Sequence, residues 1–76
     1  MKELPKEHRE YIDGLIKDMW KEEDMQKQAG IEDMFLIRMI RLKNMGYETT
    51  KYTLHYENYM KVQDAIYRRE EGEGNG

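Results

Sequence analysis

The sequence predicts an all-α fold: a small three-helix domain followed by a disordered acidic, glycine-rich tail. Three observations predict it. Apolar residues recur every three or four positions from Leu4 to Trp20. A second apolar segment, Ile31 to Met45, carries charges matched to a helix dipole and is closed by Gly46. A third, from about residue 50 to 69, keeps helical rather than alternating spacing. The 76 residues suit one domain. Residues 1–69 are assigned to it, with helices near 5–28, 31–45 and 50–69, and residues 70–76 to the tail.

In the first helix Pro5 suits the first turn, where a missing N–H costs nothing. His8, Tyr11, Ile12, Leu15, Ile16, Met19 and Trp20 fall on one side. Glu10, Asp13, Lys17, Lys21 and Asp24 fall on the other. Gly14 costs this helix about 1 kcal/mol relative to alanine. The pattern fades in KEEDMQKQAG, where Glu23 and Gln26 take the line that was apolar. This stretch reads as a solvated extension ending at Gly30, and the run Glu22, Glu23, Asp24 as a water-facing one.

The second segment, IEDMFLIRMIRLKNM, has Glu32 and Asp33 near its start and Arg41 and Lys43 near its end. Its apolar residues point almost all round, and a helix apolar on every side must be covered on every side. Two flanking helices do not easily manage that. The helix is therefore expected to be central or part of an oligomer interface. Phe35, Ile37, Met39 and Ile40 are the expected self-association contacts, in a homodimer. A buried strand at FLIRMI is the competing reading; length and charge placement favour the helix.

In the third segment Tyr52, Tyr56, Tyr59, Met60, Gln63, Ile66 and Tyr67 form one stripe, with Glu57, Lys61, Asp64 and Arg68 opposite. Thr49 or Thr50 is the expected N-cap. Leu54 and Ala65 lie on the far side, as isolated exposed apolar residues normally do. The ending EEGEGNG is acidic and glycine-rich, hence the expected disorder.

Composition narrows the function classes. A domain this short buries only about 60% of its unfolded surface and gains from a staple or a partner. With no cysteine, disulfides and cysteine-based zinc sites are excluded. MKELPKEHRE has no apolar leader region, and the longest apolar run, Met34 to Ile37, falls far short of the roughly 20 residues of a membrane span. A cytoplasmic, membrane-free protein is expected. Charge is polarised: residues 1–33 carry six basic and ten acidic side chains, residues 34–69 seven and three. Neither His8 nor His55 has a Ser or Cys nucleophile at a recognisable spacing. There is no HExxH, no EF-hand loop and no glycine-rich phosphate loop. No catalytic residue, metal ligand or cofactor is therefore assigned, and a non-enzymatic protein is expected.

Seven methionines and six tyrosines, against five leucines and one valine, favour contact surfaces over a core built only for stability. The expected function is a small interaction module that binds and modulates, by inhibition, a cytosolic target protein. Short, cysteine-free, highly charged helical chains of this kind are typical of bacterial regulators and of phage proteins that occupy a host enzyme's surface. Tyr52, Tyr56 and Tyr59, with Arg38 and Arg41, are the expected contacts to an external partner. The alternative is a helix-turn-helix nucleic-acid-binding regulator using the basic half 34–69. LIRMIRLKNMGY and YTLHYE resemble segments of MerR-type regulators, in which a helix ends in glycine and a Thr-Leu-Arg-Tyr-Tyr-Glu run follows. Here the interval from Gly46 to Thr53 is longer and His55 replaces the arginine, so no functional residue is carried over.

Overall fold

The computed structural model describes the backbone of residues 2–75 and the side chains of residues 2–69. It holds three helices: α1 (Lys6–Lys21), α2 (Met25–Asn44) and α3 (Thr50–Asn75). Among the described residues the one extended pairing is a parallel bridge between Lys2 and Tyr47.

The turn between the first two helices lies at residues 22–24 rather than at Gly30. The reason is local polar chemistry. Asp24 is extended, and its carboxylate accepts from the amides of Gln26 (2.9 Å) and Lys27 (3.1 Å), which no helical carbonyl serves. Glu22 in turn accepts from the Asp24 amide at 3.2 Å. Gln28 reaches back to the carbonyls of Met19 (3.3 Å) and Glu22 (3.2 Å) at the end of α1. The acidic run is thus a helix-capping clasp. Gly30 lies inside α2, and Glu32 and Asp33 fall in mid-helix, away from the dipole's positive end. Arg41 and Lys43 occupy the last turn, as expected.

The end of α2 follows the sequence closely. Gly46 has φ 90°, a conformation that side chains resist. Its amide donates to the Lys43 carbonyl (3.0 Å), and the Tyr47 amide to that of Leu42 (3.1 Å). These two bonds form a Schellman motif. Tyr47 packs on the core beside Leu42. Residues 2–4 strap this turn down: the Lys2 amide donates to Gly46 (3.1 Å), the Glu48 amide donates to Lys2 (2.7 Å), and Leu4 is buried.

At α3 the Thr49 carbonyl takes the first helical bonds, from Tyr52 (3.1 Å) and Thr53 (3.0 Å). The side chain that caps is Glu48, which accepts from both the hydroxyl and the amide of Thr50. Those two bonds hold its carboxyl below the ordinary value. The backbone stays helical to Asn75, past the expected end at 69. Gly76 and the side chains from Glu70 onward lie outside the described residues.

Short connections make α1 and α2 antiparallel. α3 runs back alongside α1: Tyr52 lies near Leu4 and Arg9, and Tyr59 near Trp20. The core is Leu4, Ile12, Leu15, Met19, Phe35, Met39, Leu42, Tyr52 and Tyr59. At about 1.5 Å per residue, the 26 residues of α3 outrun the 16 of α1. The far end of α3 therefore overhangs the α1–α2 turn, and the molecule measures 50 × 20 × 16 Å.

Candidate interaction surfaces

Aromatic rings join α3 to the α1–α2 hairpin. Tyr56 stacks on Phe35 with centroids 5.4 Å apart, and Trp20 meets Tyr59 edge-on at 5.0 Å. The Trp20 indole donates to His55 Nε2 at 3.2 Å, so His55 serves as a structural acceptor. His8, the other histidine, packs against the Tyr47 ring at 6.0 Å.

This seam corrects the tyrosine assignment. Tyr52 and Tyr59 are buried and Tyr56 is half-buried, so the stripe docks α3 instead of facing a partner. Burial first, then the Glu32 charge, push the Tyr59 hydroxyl well above its ordinary pKa. That hydroxyl is buried without a hydrogen-bond partner among the described residues. Tyr52 and Tyr56 are also raised by burial, with smaller contributions from Asp13 and from Glu32 and Asp33 respectively. Of the two arginines expected at a partner, Arg38 is half-buried with its guanidinium 4.3 Å from the Tyr11 ring centroid, an internal cation–π contact. Arg41 is exposed.

The proposed self-association set also divides. Phe35 and Met39 face inward and belong to the core of their own chain. Ile37 and Ile40, 59% and 60% exposed, lie on the opposite side of α2. With Arg41, Asn44 and Met45 they line a shallow concavity.

A second apolar surface, not singled out from sequence, lies where α3 overhangs the α1–α2 turn. Trp20, Met25, Met60, Ile66 and Tyr67 line a groove of about 670 Å³. Glu22 and Glu23 stand on one rim. Asp64 stands on the other, paired with Arg68 at 3.2 Å. The available signal was the stripe itself: Met60, Ile66 and Tyr67 continue the line of Tyr52 and Tyr59 beyond the point where α1 ends.

Among the described residues no group of three or more histidine and carboxylate side chains is placed to hold a metal ion. No described helix is long and apolar enough to cross a membrane. No family model matches the chain, and neither a curated protein nor a solved structure matches it.

Proposed function

We propose that the chain is a small non-enzymatic interaction module that binds a target protein through the groove beneath the overhanging end of α3 and modulates that target by occupying its surface. One observation carries this reading. Five large apolar side chains around one concavity are left between 41% and 74% exposed. Apolar patches with polar rims mark interaction sites, and tryptophan, tyrosine and methionine are residues such sites favour. The shape suits an amphipathic helix laid into a groove. The carboxylates of Glu22 and Glu23 suit a basic flank on that helix.

The nucleic-acid reading has less support. Arg68 is already paired with Asp64, and Glu57 shares the outward side of α3. A tagged pull-down from the source cell's lysate tests both readings, run with and without nuclease and repeated with Ile66→Asp/Tyr67→Asp. One stoichiometric protein, captured despite nuclease and lost with the double variant, is the expected result. Capture unchanged by that variant, or no capture at all, overturns the groove reading. Capture abolished by nuclease, with binding that weakens steeply in salt, puts the basic half forward instead.

A further inference from the structure

The outward face of α2 carries charges that no ion pair among the described residues uses. Ile37 stands midway between Asp33 and Arg41, four residues from each, and helical residues four apart share a face. All three are exposed. Among the described residues neither Asp33 nor Arg41 forms an ion pair. The helix dipole gives no reason for Asp33 either, because α2 begins at Met25, two turns earlier. Aspartate is among the poorer formers of a helix interior. An apolar strip with an unpaired acid on one side and an unpaired base on the other is complementary to itself when reversed.

We infer that α2 packs antiparallel against α2 of a second copy, about a two-fold axis passing through Ile37. Such an axis places each residue opposite the one equally far from Ile37 on the other side. Asp33 of each copy meets Arg41 of the other, twice per dimer. Ile37 meets its own equivalent, with Met34 and Ile40 flanking it; these are 59%, 49% and 60% exposed in the single chain. Gly30 comes opposite Asn44, and the space around Gly30 is open, so the second helix approaches closely there. A parallel arrangement sets acid on acid and base on base, so charge selects the antiparallel one. The contact is isologous and closes at two copies. It leaves both grooves beneath α3 free and does not depend on what they bind.

Mass by light scattering, from low to high micromolar, is the first test. The expected mass rises from 9.3 kDa towards twice that value. Asp33→Arg and Arg41→Asp each set two like-charge contacts in the dimer and are expected to weaken it about tenfold. The double exchange Asp33→Arg/Arg41→Asp restores every opposite pairing and the wild-type affinity. Mixing the two single variants yields a mixed dimer tighter than either parent. The chain has no cysteine, so Ile37→Cys places a lone thiol on the axis. Mild oxidation should link it into a dimer, while Leu54→Cys, equally exposed but on α3, stays unlinked. These positions are exposed, so circular dichroism should show the folded helices in every variant. A 9.3 kDa mass at all concentrations, a dimer indifferent to the single reversals, or one the double exchange does not restore, overturns the inference.

Discussion

Phe35 and Ile37 are two residues apart on α2 and have opposite fates. Phe35 is 1% exposed and stacked on Tyr56, whereas Ile37 is 59% exposed. Neither side chain's chemistry decides this. Cover decides it: α1 and α3 lie on the same side of α2, so Phe35, Met39 and Leu42 are enclosed, while Ile37 and Ile40 on the reverse side stay exposed. Apolar content tells how much surface a helix needs covered. It does not tell whether the chain supplies the cover.

The contrast is broken most strongly from the inside. Phe35→Ala removes a ring from a filled site and should cost about 3–5 kcal/mol in urea unfolding. A value near zero would mean that the core is not where the structure puts it. Alkali gives the next effect. The raised pKa values of Tyr52, Tyr56 and Tyr59 mean that the unfolded chain ionises first, near 10.0. Their contribution is intact below that pH and is lost as pH climbs above it. Tyrosinate absorbance should therefore rise together with loss of helical circular dichroism. Tyr59→Phe sharpens the point. It removes the ionisable hydroxyl from the core and should delay alkaline unfolding. The smallest effect belongs outside. Ile37→Ser should move stability by no more than about 0.5 kcal/mol in dilute solution. The gap from wild type should widen with concentration if association stabilises the wild-type chain.

The sequence made some of this legible. The spacing of Ile12, Leu15 and Met19 marked the inner face of α1, and Gly46 marked the end of α2. The start of α2 was not legible because two signals competed. Gly30 looked like a terminator, while Asp24, the residue that caps the helix, sat in an acidic run resembling a solvated face. The tyrosine stripe was found but its role was not. Periodicity shows that Tyr52, Tyr59 and Tyr67 share a side; it does not show that cover stops near Tyr59 because α1 is ten residues shorter than α3. For the same reason the groove went unseen. Spacing put Trp20 on the apolar side of the first helix, and it lies at the rim of the covered zone, 41% exposed.

The bridge between Lys2 and Tyr47 has a consequence for the order of assembly. This pairing closes a loop running from residue 2 to residue 47, through the whole α1–α2 hairpin. Closing so long a loop is entropically costly until the hairpin has drawn its ends together. The strap should therefore close after the hairpin forms and open before it. In native-state hydrogen exchange, the amides of Lys2 and Glu48 should exchange well ahead of those in the middle of α1 and α2, a latch that lifts while the hairpin beneath it stays shut.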